Sequence, residues 1–314
     1  MSTAFFTHRA CLDHDTGPGH PERPERLRAV WRALDAVHFP ELLRAEAPLA
    51  TQSQLEAVHD PAYIQAIMAK MVGEGERLAL DPDTWMSAGT LEAALRAAGG
   101  AVHAVDLVLS GKANNAFVAV RPPGHHAEPG QAMGFCLFNS VAIAARYARD
   151  HWGVARVAVA DFDVHHGNGT QAAFWDDPAM FFASSHQSPL YPGSGTPAER
   201  GGSGNIVNAP LPPGAGSDEF RAAWREDLLP AIAEFAPDLV LISAGFDAHH
   251  ADPLAQMRLN ADDYTWITEE LCTLAAVSAR GRVVSLLEGG YDLEALATCS
   301  AAHVAALARA TMPV

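Results

Sequence analysis

Five short runs of consecutive apolar residues punctuate the chain, at 116–120 (AFVAV), 155–160 (ARVAVA), 179–183 (AMFFA), 238–243 (DLVLIS) and 282–287 (RVVSLL). Amphipathic helical patterns lie between several of them, at 138–151, 217–235 and 261–279, and a last one follows at 292–310. Short, fully apolar strands separated by helices predict a parallel sheet covered on both faces. Upstream of residue 116 the pattern is helical. Pro24 suits a first helical position, and Leu27, Val30, Trp31 and Leu34 recur at helical spacing. Asp60-Pro61 opens another helix, and residues 87–110 form a long Ala-rich one. The Gly- and Pro-rich stretch 192–216 is read as an internal surface loop, because strand and helix patterns continue on both sides. No repeat period and no low-complexity tract is visible. The prediction is α/β: a single domain over residues 1–314, with about eight mostly parallel strands and helices on both faces.

Composition narrows the function. The chain has 314 residues, 49% hydrophobic and 18% charged, which provides a core and excludes disorder. Its formal charge of −16 argues against nucleic acid or an anionic membrane as partner, and is compatible with a cationic substrate. Four separated cysteines (Cys11, Cys136, Cys272, Cys299) offer neither a disulfide framework nor a zinc knuckle. The first residues lack the pattern of a signal peptide, and no apolar run approaches the ~20 residues of a membrane span, so a cytoplasmic location is expected.

Four of the apolar runs each end in a Gly-containing loop bearing titratable groups: RPPGHHAEPG with His125 and His126, DFDVHHGNG with Asp161, Asp163, His165 and His166, AGFDAHHADP with Asp247, and EGGYD with Tyr291. Ligands bind at the carboxyl ends of strands in open α/β sheets, so the four loops are expected to converge on one site. Asp163 and His165, two apart in an extended segment, point the same way and can share a cation with Asp247. Three protein ligands leave a position open, as in a catalytic rather than a structural zinc site. The His125-His126 pair would supply acid–base chemistry, with Asp161 and Asn168 as candidate partners for their second nitrogens. Tyr291 could direct a phenolic donor at a developing oxyanion. His166, His249 and His250 are read as structural or loop residues, and Cys136, among Phe135, Leu137 and Phe138, as a buried thiol. No G-x-S-x-G elbow, no G-x-x-x-x-G-K-[ST] phosphate loop and no G-x-G-x-x-G after the first strand is present.

RPPGHHA, DFDVHHGNGTQ, SAGFDAHHADP and LEGGYD, together with HPERPERL at 20–27, resemble the motif set of the histone deacetylase superfamily, in the arginase/deacetylase fold. The GFDA and HHGNG forms look like its class II branch, with the bacterial deacetylase-like and acetylpolyamine amidohydrolase relatives. The resemblance implies a zinc-dependent amidohydrolase that removes an acetyl group from an acylated amine, acetyl-lysine first, acylpolyamines or another small acetamide as alternatives. It makes Asp163, His165 and Asp247 the zinc ligands, Tyr291 the carbonyl-polarising residue, and His126 the proton shuttle of the histidine pair. Asp161 matches the partner of His125. Asn168 stands where the class I branch has an Asp as partner of the second histidine. Gly134, Phe135 and Tyr191 match the walls of an acyl-lysine tunnel, and Leu254 an apolar position at its mouth, where polyamine deacetylases carry an acid. A structural potassium ion is implied beside the zinc, at the segment of Asp161, Asp163 and His165 and near Ser184-Ser185. Arg26 matches an arginine near an internal acetate channel. At the rim, Asp81 and Asp83 are read as solvated loop carboxylates, with contact to the substrate backbone as the alternative. Expected partners are acetylated lysine peptides or proteins or small acylated amines; nucleic acid and membrane are not expected, and self-association is left open. A binuclear manganese ureohydrolase would need a D-x-H-x-D pattern, whereas Gly167 stands two residues after His165. A non-catalytic acetyl-ligand binding module would be favoured by loss of Tyr291 or a ligand, and all are present.

Overall fold

The computed structural model describes residues 2–310; Met1 and residues 311–314 of the predicted domain lie outside it. The strands are β1 (Thr3–Thr7), β2 (Leu43–Glu46), β3 (Leu78–Ala79), β4 (Trp85–Met86), β5 (Asn115–Val118), β6 (Val157–Asp161), β7 (Met180–Gln187), β8 (Ile206–Leu211), β9 (Leu239–Ala244) and β10 (Val283–Leu287). The helices are α1 (Pro24–Ala33), α2 (Gln52–Glu56), α3 (Pro61–Met68), α4 (Thr90–Leu109), α5 (Ser140–Trp152), α6 (Asn168–Phe174), α7 (Ser217–Ala223), α8 (Leu229–Phe235), α9 (Ala261–Ser278) and α10 (Leu293–Arg309). A π-helical turn at Trp224–Leu228 joins α7 to α8, so the stretch predicted as one helix over 217–235 is continuous.

Eight strands form one sheet in the order β2-β1-β5-β10-β9-β6-β7-β8, and every neighbouring pair is parallel. Helices α4 and α5 pack together on one face; α1, α10, α9 and α8 follow one another across the other. The interior strands β5, β6, β7, β9 and β10 are buried at every residue, which is why each contains an apolar run, although β7 continues past its own through buried Ser184, Ser185, His186 and Gln187. The predicted single sheet covered on both faces is therefore present.

Three expectations need correction. The N-terminal part is not only helical: it contributes β1 and the edge strand β2, whose LRAE is largely exposed and carries no apolar run. The stretch 192–216 is not all loop, since β8 lies within it and pairs with β7 from Phe182↔Ile206 to Gln187↔Leu211. Pro210 is tolerated there because β8 is an edge strand. The rim segment carries a small antiparallel hairpin, β3–β4. Among the described residues no helix is long and apolar enough to cross a membrane.

The parallel arrangement brings the carboxyl ends of β5, β6, β9 and β10 side by side, in the spatial order β5-β10-β9-β6. All four predicted loops leave from that edge.

Candidate active site

Asp163, His165 and Asp247 are buried, and one ligand atom from each lies within 4.8 Å of the others, close enough to share one cation. His165 Nδ1 is 3.1 Å from Asp163 Oδ1 and 3.3 Å from Asp247 Oδ2. The backbone holds the carboxylates: His165 N donates to Asp163 Oδ1 (2.9 Å), Gly289 N to Asp163 Oδ2 (2.7 Å) and Val164 N to Asp247 Oδ1 (2.9 Å). Asp247 Oδ2 is buried without a hydrogen-bond partner. An unsatisfied buried carboxylate oxygen costs several kcal/mol unless a cation meets it, so the donor set fits a metal. Gly245 and Gly289 make room for it: a Cβ at Gly245 would collide with Asp163, and one at Gly289 with both Asp163 and Asp247. Burial opposes charge on His165, yet the hydrogen bond to Asp163 and the nearby Asp247 carboxylate outweigh it and push the imidazole up to about 10. Two carboxylates thus act on whatever cation stands between them.

The tandem histidines follow β5, their rings 4.0 Å apart. His125 Nδ1 meets Asp161 Oδ2 at 2.9 Å, and His126 Nδ1 meets Asn168 Oδ1 at 2.8 Å, so each candidate partner faces its own histidine. Their environments push them apart. Both are buried, which disfavours charge; for His125 the carboxylates of Asp161 and Asp163 overcome it and raise the group to about 10. For His126 the charges of His125 and His165 add to burial, and its value falls well below the ordinary range. The two neighbouring imidazoles are therefore biased in opposite directions.

Tyr291 is reached through Gly289-Gly290 after β10, and Asp292 immediately caps α10 by accepting from Ala295 N (2.8 Å) and Glu294 N (3.1 Å). Its ring packs edge-on to Phe135 at 5.9 Å, and the Arg26 guanidinium lies 4.7 Å from its centroid. Burial raises the Tyr291 phenol well above its usual value, so it stays protonated and able to donate. Phe135 (φ 68°) and Gly134 (φ 56°) adopt left-handed backbone, and a Cβ at Gly134 would strike the His126 ring. On the other side Tyr191 stands edge-on to His126 at 5.2 Å and to His165 at 6.4 Å. Phe135 thus packs against Tyr291, and Tyr191 against His126 and His165.

Other predicted residues are placed less directly. Leu254 is half-buried on the loop after Asp247, its N–H donating to Asp252 Oδ1 at 3.0 Å. Ser184 pairs in register with Asp161; its hydroxyl contacts His186 Nδ1 at 3.0 Å, while Ser185 Oγ accepts from Trp224 Nε1 at 3.0 Å. Asp81 accepts from Asp83 N (2.9 Å) and Thr84 N (2.5 Å), a turn-forming use of a loop carboxylate. His166, bonded to Ser194 Oγ and Gln171 Oε1, and the buried Cys136, whose thiol burial raises well above its ordinary value, match their structural readings.

Sequence reasoning missed three buried carboxylates. Glu288 Oε2 accepts from Gly124 N (2.7 Å) and His125 N (3.2 Å), tying the histidine loop to the end of β10. Asp252 Oδ2 accepts from Tyr291 N at 2.7 Å. Glu22 sits fully buried among Arg26, Arg121 and His14; Arg26 in turn donates to Gly290 O (2.6 Å) and Glu288 O (2.5 Å). Glu22, Asp252 and Glu288 all lie inside the recognised motifs, which was the available signal.

With the geometry in hand, comparison with known proteins is direct. The family model for the histone deacetylase domain matches residues 20–307. A protein of Archaeoglobus fulgidus named a probable deacetylase is 38% identical, over 94% of this chain and 82% of its own length. The histone deacetylase-like amidohydrolase of Pseudomonas aeruginosa is 38% identical, over 96% of this chain and 85% of its own. A crystal structure described as the HDA15 HD domain superposes with a TM-score of 0.90 at 33% identity, covering 100% of this chain and 92% of that one. Together with the parallel eight-stranded α/β fold, these matches show that the chain belongs to the histone deacetylase family.

Proposed function

We propose that this hydrolase is a zinc-dependent deacetylase that removes the acetyl group of an acylated amine, with acetyl-lysine as the substrate class. The observation that carries the proposal is the buried Asp163–His165–Asp247 group with its unsatisfied carboxylate oxygen, at the strand edge that also bears the histidine pair and Tyr291. Among the described residues this group comprises two carboxylates and one imidazole, a donor set for a single catalytic zinc with an open position. Zinc held there would supply Lewis acidity toward the amide carbonyl and lower the pKa of water.

The chain's own groups then divide the work. His126, kept neutral, accepts the proton of the attacking water and passes it to the departing amine. His125, kept charged by Asp161, holds positive potential beside the developing oxyanion. The Tyr291 hydroxyl donates a hydrogen bond to that oxyanion, and Arg26 under its ring discourages the phenol from moving away. Phe135 and Tyr191 admit a long, neutral, acylated chain and exclude bulk water. The apolar Leu254 favours lysine over polyamine substrates. We further propose a structural potassium ion near Asp161 and Ser184, whose strands are neighbours.

The test is acetate release from an acetyl-lysine peptide by zinc-loaded protein, with Asp247→Ala alongside and metal content measured on both. Turnover with one zinc, both lost in the variant, is the expected result. A variant that keeps a full equivalent of zinc would refute the ligand set. Zinc bound without peptide turnover would move the substrate to acylpolyamines and other small amides.

A further inference from the structure

Asn168 is an ambiguous partner for a histidine. A carboxylate in its place could only accept, whereas a primary amide accepts at one end and donates at the other. A half-turn of the amide would invert the hydrogen bond to His126 Nδ1. What decides the matter is the far end of the amide: Asn168 Nδ2 donates to Glu128 Oε1 at 2.8 Å. It also lies 3.3 Å from Met133 Sδ and 3.4 Å from His126 O. Of the three, a thioether is a weak acceptor and the carbonyl contact is long, while the carboxylate contact is short and charge-assisted.

With the NH2 group drawn to Glu128, Asn168 Oδ1 faces His126 Nδ1 at 2.8 Å, and that nitrogen must carry the proton. Nε2, across the ring, keeps its lone pair. In the turned amide Nδ2 would face Nδ1, the proton would shift to Nε2, and the imidazole would have no lone pair to offer there. We propose that Glu128 is a positioning residue, which locks the Asn168 amide and through it the tautomer of the proton-transferring His126. The inference rests on the reading of His126 as that proton-transfer group. Glu128 is half-buried and, with Asn168, Met133, Trp175 and Pro192, lines an outward-facing cavity of about 490 Å³, so replacing it opens no core.

The experiment is ¹⁵N NMR of histidine-labelled protein, joined to steady-state kinetics on an acetyl-lysine peptide, for Glu128→Leu, Glu128→Lys and Glu128→Gln. Wild type is expected to show His126 protonated at Nδ1. The Leu variant, which removes the acceptor, and the Lys variant, which presents donors to Nδ2, should shift His126 toward the Nε2-protonated form. Both should lose kcat by about tenfold or more with KM held, since no substrate contact is touched. Gln, which keeps an acceptor oxygen, should recover most of the kcat and the Nδ1-protonated signal. Wild-type nitrogen shifts in both Leu and Lys variants would overturn the proposal, and so would a Gln variant as impaired as Leu. The tautomer is read without turnover, so a wild type inactive on peptides would count against the substrate assignment and not against this one.

Discussion

At the scale of single side chains, burial and neighbouring carboxylates together set the protonation preference of the site's groups. Tyr291 shows it best: desolvation keeps the phenol protonated, while Asp252 on its backbone N–H and Arg26 beneath its ring fix its direction. Tyr291→Phe is expected to lower kcat about 100- to 1,000-fold, the loss of one oxyanion donor, with zinc content unchanged by metal analysis. Retained activity would remove the phenol from the mechanism. The convergence of Asp163, His165, Asp247, the histidine pair and Tyr291 was legible in the sequence because each follows an apolar strand in a Gly-bearing loop. Glu288 and Asp252 were not, although both stand in the same motifs. Their partners are backbone amides, which a sequence does not mark, and a loop carboxylate that anchors a neighbouring loop looks the same on paper as one in water.

Elements were legible where burial coincides with an unbroken apolar run, which β1 (TAFFT), though mostly buried, does not show. Strands covered on both faces, such as β6 and β9, announce themselves as unbroken apolar runs; β2 and β8, at the two edges, do not. β8 reads as loop because Asn208 and Pro210 interrupt it and glycines flank it, features an edge tolerates. Helix α4 shows the reverse case, a strongly helical sequence with an internal cost. Gly99 and Gly100 stand mid-helix, where glycine is about 0.5–1 kcal/mol less favourable than alanine. The structure supplies the reason: a Cβ at Gly99 would run into the backbone at Pro48 and Ala50, whose chain lies against the helix and hydrogen-bonds it through Ala50 N to Leu95 O at 2.9 Å. Gly99→Ala, stabilising in an isolated helix, is expected here to destabilise the protein by about 1–3 kcal/mol in denaturant titrations. A stabilised variant would show that the 47–50 segment can yield.

At the scale of the whole molecule, a buried charge cluster joins distant parts of the chain to the catalytic edge. Glu22 meets Arg26, Arg121 and His14, and Arg26 reaches the carbonyls at 288 and 290. Burial alone would raise the Glu22 carboxyl; the Arg121 charge, with His14 and Arg121 hydrogen bonds, outweighs it and holds the value well below the model-compound 4.5. A carboxyl depressed in the folded state stabilises fully above its unfolded value and loses that contribution as pH falls through the folded one. Part of the acid unfolding below about pH 4.5 should therefore belong to Glu22. Glu22→Gln is expected to destabilise the protein at neutral pH by about 3–5 kcal/mol, because it strands buried guanidinium charge, and to flatten stability against pH in the acid range. An unaltered acid limb in the variant would assign it to other carboxylates.

The strand order also sets a birth order. β10, which follows the other nine strands along the chain, takes a central place in the sheet, between β5 and β9. Without it the other seven strands of the sheet would fall into two groups, β2-β1-β5 and β9-β6-β7-β8, with nothing to pair their inner edges. The loop carrying Glu288, Gly289 and Tyr291 arrives only with that strand, so the half-built molecule has neither the clasp on its histidine loop nor its phenol. A chain lacking β10 would leave two strand edges open, a condition that invites intermolecular pairing. The insertion of one five-residue strand thus closes the sheet and completes the edge that carries the candidate site in the same event.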